Sequence, residues 1–246
     1  MEKELEKTDW QIVNSWLGTL YPELRDTSNY KTMISYVDPD KLTGFYERRQ
    51  QALDEFLEVS GQVGAEKEFL HQIERKVEKP FHYEWVEGWS TLLGSMVADL
   101  GVVMALFLGI VLSSLFAGEW HDNTSTLVLT TRNGWGKIAL AKILTGLAFT
   151  VELFALLAVS NVISQLFFMG TAGWDMPIQN IKLIAVAPMN MLQAEIYEYA
   201  FVLLGAIGFA GIVMFISAAV KNNVLTLLLS LAVVYGPMMI AEYLPY

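Results

Sequence analysis

Cysteine is absent from the 246 residues of this chain, which removes disulfides, thiolate metal ligands and thiol catalysis together. Histidine is nearly as scarce. His71, His82 and His121 lie far apart and no HExxH pair is present, so a zinc protease lacks its ligands. His121-Asp122 are adjacent, but neighbours on a loop rarely orient as a catalytic pair. There is no GxxxxGK[ST] phosphate loop to cradle a nucleotide and no GxSxG elbow to present a nucleophilic serine. These gaps predict a chain that is not itself an enzyme and uses no cofactor or metal. The opening MEKELEKTDWQIVNSW has no apolar core and does not read as a secretory signal.

What the chain has instead is apolar sequence in long runs. Hydrophobic residues make up 54% and the mean hydropathy is +0.39, above the roughly 45–50% apolar usage of soluble domains. Four runs stand out, at 92–117, 138–168, 199–220 and 224–241, near or above the roughly 20 residues that cross a bilayer. The last two are joined only by Lys221, Asn222 and Asn223, which predicts a tight antiparallel hairpin. The expected fold is an all-α membrane protein: four transmembrane helices over residues 89–246, preceded by an α-helical extramembrane domain at 1–88.

The formal charge of −10 is unevenly spread. Residues 1–88 hold 18 acids against 11 Lys and Arg, so the first third is a water-exposed segment with no basic footprint for nucleic acid. Arg132, Lys137, Lys142 and Lys221 flank or follow the spans at one end. The alternate loop, 169–198, has Lys182 against Asp175, Glu195 and Glu198. The positive-inside tendency therefore puts 118–137 and Lys221 in the cytosol, and the 1–88 domain outside the cell membrane. A domain of that size without a signal does not easily reach the outer face. An upstream span is accordingly expected to be missing, with Met1 an internal start or a fragment boundary. The alternative is the reverse orientation with a cytosolic N-terminal domain.

Within the exposed segment, Asp38-Pro-Asp-Lys opens a helix with Asp40 as cap, and Leu42, Phe45, Tyr46, Leu53, Phe56 and Leu57 recur at helical spacing up to Val59. Ser60-Gly61 breaks it. Ala65 starts a second helix running to Val77, with Phe69, Leu70 and Ile73 on one side, and the two should pair as a hairpin. Pro80 ends it, and Phe81, Tyr83, Trp85 and Trp89 read as an interfacial anchor, since amphipathic rings favour the headgroup level.

Two acids fall inside the runs. Asp99 and Glu152 each cost roughly 2.5–3.5 kcal/mol at a helix centre on the insertion scale, so neither should face lipid. A proton or cation relay is one role. An interhelical hydrogen bond in the bundle is favoured, because no second acid sits at helical spacing beside either. Gly205, Gly208 and Gly211 give the third run a smooth face for close helix approach, and Gly236-Pro237 should kink or loosen the fourth.

The segment 116–142, FAGEWHDNTSTLVLTTRNGWGKIALAK, then becomes the most informative part of the chain. Phe116, Glu119, Asn123-Thr124, Leu127, Val128, Leu129, Arg132 and Lys142 follow the order of a connector in the permease subunits of type-2 ABC exporters, which this chain resembles. Asn123 stands where that family usually has Gly, and Asn also tolerates a left-handed turn. Trp174, Pro177 and Gln179 in GWDMPIQNI are similar to a Pro-x-Gln element of a Gram-positive branch with a large extracytoplasmic helical domain. DPDKLTGFYERRQQAL and KPFHYEWVEGW resemble that domain itself. The likeness covers most of 36–241. Members usually have six spans, so the chain would lack the first and the sixth.

The resemblance implies two permease halves, identical or different, working with two ATP-binding subunits that carry the hydrolysis. The ATPase-coupling residues would be Glu119, Thr124, Leu127, Val128, Leu129 and Arg132. The three apolar ones would be buried in a groove on the ATPase, with Glu119 and Arg132 orienting the contact at its rim. A rival reading from another class is a non-transporting multi-pass protein that displays residues 1–88 as a binding or sensory domain.

Overall fold

The computed structural model describes Leu20, Glu84 and residues 44–82, 86–121 and 136–243. Among these residues every regular element is helical. The chain divides into two compact units, Met1–Thr91 with Phe167–Glu195, and Leu92–Leu166 with Ile196–Tyr246.

The first unit is built on a helical hairpin. Helix α1, Phe45–Val59, starts after Gly44, whose φ of 91° lies where a side chain would be strained, and ends before Ser60-Gly61. The expected cap, Asp40, lies outside the described residues. Helix α2, Ala65–Glu74, ends three residues earlier than the sequence spacing predicts. Arg75 to Val77 instead form tight turns, with Val77 N–H donating to the Glu74 carbonyl at 2.9 Å. Lys67 Nζ lies 3.0 Å from Glu58 Oε1 and His71 Nε2 lies 3.0 Å from Asp54 Oδ1, fastening the two helices side by side.

The buried stripe of α1 is Arg49, Leu53 and Leu57, four residues apart. Phe56 and Phe69, which the spacing assigns to the core, are 52% and 59% exposed. A guanidinium occupies the inner face in their place. The expected lipid anchor is also differently used. Phe81 packs edge-on against Tyr46 and Phe45, and Trp89 is buried with its indole N–H reaching the Thr171 carbonyl at 3.4 Å. Trp89 belongs to the core of the unit and Phe81 is half-buried, while Tyr83 and Trp85 lie outside the described residues. A short helix α3, Glu87–Thr91, closes this part of the chain.

The segment after Phe167 adds a loop with its own internal order. Gly170 and Gly173 turn it with φ of 85° and 80°. A single turn of 3-10 helix, Ile178–Asn180, follows Pro177, and Pro177 bridges Asn190 in antiparallel fashion. Asn190 then opens a helix by a reciprocal cap: Gln193 N–H donates to Asn190 Oδ1 at 2.8 Å, and Asn190 N–H donates to Gln193 Oε1 at 3.1 Å.

The second unit is a bundle of apolar helices. Helix α4, Val97–His121, follows a π-helical turn at Leu92–Met96. Helix α5 spans Lys137–Met169, α6 Met191–Val220 and α7 Asn223–Tyr243, the last running through Pro237. Val97–Trp120, Lys137–Met169 and Met191–Val220 are each long and apolar enough to cross a membrane, which is compatible with a multi-pass membrane protein. Asn223–Pro237 is a shorter apolar helix. Among the described residues three helices thus have spanning length and composition, and the fourth apolar run of the sequence is the helix α7.

The core of this unit is an i, i+4 ridge on α4. Leu100, Met104, Leu108 and Leu112 pack with Phe209, Val213 and Met214 of α6 and with Ala158 of α5. The most extensive backbone contact between helices is that of α4 with α7, so α7 packs along α4 more than along α6, its neighbour in sequence. The outer faces are equally apolar: Leu156, Phe201 and Phe215 are exposed, as befits helices whose solvent is lipid. The α6–α7 turn is as tight as predicted. Lys221 takes a left-handed φ of 59°, and Asn222 Oδ1 accepts the Leu225 N–H at 3.0 Å to cap α7.

Within this chain the glycine stripe makes no close helix approach. A Cβ at Gly205, Gly208 or Gly211 would meet nothing within 4 Å, and Gly205 instead borders an apolar cavity of about 230 Å³ with Met104 and Phe209. Close approach occurs at Gly146, where a Cβ would lie 2.7 Å from Met214 Sδ, and at Gly109, where it would lie 3.3 Å from Leu227.

Candidate functional site

Three groups of polar residues are placed by these elements. The first lies where α4 ends and α5 begins. Lys142, one turn into α5, reaches back to Glu119 Oε1 and to the Leu115 carbonyl, each at 2.6 Å, with its ammonium 5.0 Å from the centre of the Phe116 ring. The sequence reading lets Lys142 snorkel freely; in the fold a carboxylate and a carbonyl on the neighbouring helix hold it. Close by, Ser217 of α6 donates to the Ser113 carbonyl at 2.7 Å and accepts the N–H groups of Phe116 and Ala117 at 3.1 and 3.0 Å. Lys221 lies 3.8 Å over the Trp120 ring. Three helix ends are thereby tied together at one end of the bundle.

Of the six coupling residues read from the sequence, Glu119 is part of this cluster. Thr124, Leu127, Val128, Leu129 and Arg132 lie outside the described residues. The described chain stops at His121 and resumes at Gly136, so the Glu119–Lys142 pair brackets the connector that contains them.

The second group is the pair of acids within the spans. Asp99 is the third residue of α4 and Glu152 stands near the midpoint of α5, and both are exposed on this chain. Among the described residues neither makes a hydrogen bond or an ion pair, so the expected interhelical hydrogen bond is not formed within the bundle. The structure does not bring the two acids together. Their helices differ in cover: 44% of the apolar window of α4 is buried, against 17% of that of α5.

The third group was not singled out from the sequence. Arg49 is 1% exposed and engages all three nitrogens of its guanidinium: Nε donates to the Leu183 carbonyl at 2.8 Å, Nη2 to the Ala185 carbonyl at 3.1 Å, and Nη1 to Glu74 Oε1 at 2.5 Å. The guanidinium also lies 5.2 Å from the centre of the Phe81 ring. Lys79 adds a second cation 3.1 Å from Glu74 Oε1. Burial alone would raise the Glu74 pKa; the hydrogen bonds and positive charge of Arg49 and Lys79 outweigh it and hold the carboxyl below its ordinary range. One signal was readable in advance. Arg49 falls four residues before Leu53 and eight before Leu57, on the buried face.

Beside this hub is a cavity of about 360 Å³ in the same unit, bordered by Lys76, Glu78, Asp175, Gln179 and apolar residues including Val77 and Met176. Gln179 is fully buried. Its Nε2 donates to the carbonyls of Ala185 at 2.9 Å and Ala187 at 3.0 Å, while its Oε1 has no hydrogen-bond partner among the described residues. Both side-chain polar atoms of the next residue, Asn180, are likewise buried without a partner among them. No group of three or more metal-ligating side chains is found among the described residues.

No protein-family model, no curated protein and no solved structure matches this chain.

Proposed function

We propose that this chain is the permease subunit of an ATP-driven ABC exporter, with hydrolysis carried by a separate ATP-binding subunit. The observation that carries the reading is the bracket formed by Glu119 and Lys142 around the connector. A push on the connector would reach α4 and α5 through that pair, and α6 through the Ser217 clamp. Leu127, Val128 and Leu129 supply the apolar strip for an ATPase groove, and Arg132 its charged rim.

The topology supports the same arrangement. The Arg49 hydrogen bonds join α1 to Leu183 and Ala185, and two helices of spanning length separate these segments in sequence. Both segments therefore belong on one side of the bilayer, with an even number of crossings between them. The basic residues Arg132, Lys137, Lys142 and Lys221 favour a cytosolic connector and, with it, an Arg49 unit on the outer side, over the reverse orientation. A fourth crossing by α7 fits this path. The exposed Glu152, midway along a sparsely covered helix, favours a second permease half over lipid as its neighbour.

The test is purification from the native host in mild detergent with mass identification and an ATPase assay. A stoichiometric ATP-binding partner, lost when Leu127 and Leu129 are replaced by Asp, is the expected result. Retention of ATPase coupling in that variant ends the docking claim. A chain that purifies without an ATPase in several detergents supports the second reading, a non-transporting display protein.

A further inference from the structure

We infer that the cavity of the first unit is a binding site for a free dipeptide with apolar side chains. The inference does not depend on the exporter reading, since a transporter and a display protein could each carry such a site. Its volume of about 360 Å³ lies in the range of ligand pockets and equals about a dozen water molecules in the liquid. That is room for a molecule of dipeptide size.

The lining specifies the chemistry. Val77, Met176 and Met189, with Pro80, Pro177 and Pro188, give apolar walls. Cations and anions both stand at the cavity, Lys76 on one hand and Glu78 and Asp175 on the other. These three are exposed and, among the described residues, form no ion pair with protein groups, so their charges are available to a ligand. A molecule of single charge would meet repulsion from one of the two signs; a zwitterion meets a partner for each end.

Gln179 supplies the third point. Its amide orientation is set by Nε2, which donates to two carbonyls, and its Oε1 is left as a buried acceptor with no protein donor among the described residues. A buried acceptor without a donor is costly, and such groups in folded proteins are generally satisfied by water or a ligand. The peptide N–H of the ligand is the donor that this position lacks. Lys76 then receives the carboxylate, and Asp175 with Glu78 receives the ammonium. Polyamines and dicarboxylates carry only one sign of charge and would leave part of this arrangement unmatched.

The test is calorimetric titration of the full chain in detergent with Leu-Leu, N-acetyl-Leu-Leu and Leu-Leu-amide. Saturable binding of Leu-Leu below about 1 mM is expected, weakened about fivefold or more by blocking either end. Asp175→Asn should remove the preference for the free ammonium and Lys76→Gln that for the free carboxylate. Both residues are exposed, so these variants fold even if Gln179→Leu does not. Absence of saturable binding overturns the inference. So does binding equally tight for all three ligands, which would mark a nonspecific apolar cavity.

Discussion

Lys142 Nζ stands 2.6 Å from Glu119 Oε1 and the same distance from the Leu115 carbonyl, so a single ammonium joins the last turns of α4 to the first turns of α5. The pair is partly exposed, at 18% and 27% for the two side chains. Its worth is accordingly about 1–2 kcal/mol, between a surface ion pair and a buried charged hydrogen bond. Lys142→Met should lower the thermal midpoint of the detergent-purified chain, and Glu119→Gln should do so less, because the Leu115 carbonyl bond survives. An unchanged midpoint in Lys142→Met would show that the bracket does not hold the two helices.

Arg49 should be the most sensitive position of the first unit. Arg49→Met leaves the Glu74 carboxylate buried and short of its main partner, a change that typically costs about 3–5 kcal/mol. Hydrogen exchange should quicken in α1, in α2 and in the loop that carries Leu183 and Ala185. Adding Glu74→Leu to Arg49→Met should restore much of the protection, since the stranded charge is then gone. A single variant that exchanges like the wild type would remove Arg49 as the hub.

The same pair sets an acid limit. The folded-state pKa of Glu74 is depressed, so its contribution is fully present above the ordinary glutamate value of about 4.3 and is lost as pH falls through the lower folded value. Protection of α1 and α2 should be flat from pH 7 to about pH 5 and decline only below about pH 4. Glu74→Gln should lower protection at neutral pH and flatten that decline. A loss of protection beginning near pH 6 would show that Glu74 does not set the limit.

Two sets of glycines should behave oppositely. Gly146→Val forces atoms into the space held by Met214 and Leu112, which should cost about 1–3 kcal/mol as overpacking. Gly208→Ala and Gly211→Ala meet nothing within 4 Å and should be neutral or gain up to about 1 kcal/mol from helix propensity. Thermal unfolding of the three variants in one detergent decides this. If Gly208→Ala or Gly211→Ala instead dissociates an assembly, the open glycine face belongs to a partner contact.

The long apolar helices were legible because their signal is local: about twenty apolar residues in a row leave few alternatives, and the Ser60-Gly61 break and the Lys221-Asn222 turn announce themselves by residue type. Arg49 was legible only through its register with Leu53 and Leu57, and its role was not. A charged residue on a helix ordinarily reads as solvated, and its partners Leu183 and Ala185 come from a loop 134 and 136 residues away. Phe56 and Phe69 were misplaced for a related reason, since helical spacing gives an apolar stripe but not which edge of it the rest of the chain covers. The stripe of Gly205, Gly208 and Gly211 matched a packing period on α6, whereas close approach is governed by where α4, α5 and α7 lie. Gln179 was visible in the sequence only as part of a short element, with nothing to show that its side chain would be buried and half-satisfied.

The separation between Arg49 and Leu183 also has a meaning in time. At synthesis rates of about 5–20 residues per second, the 134 residues between them take roughly 7–27 seconds to emerge. Through that interval Arg49 and Glu74 exist without the carbonyls that complete their site, so the first unit cannot finish folding as the ribosome releases it. On the permease reading, its closure would come only after α4 and α5 have carried the chain across the membrane and back, and would serve as a check on their insertion.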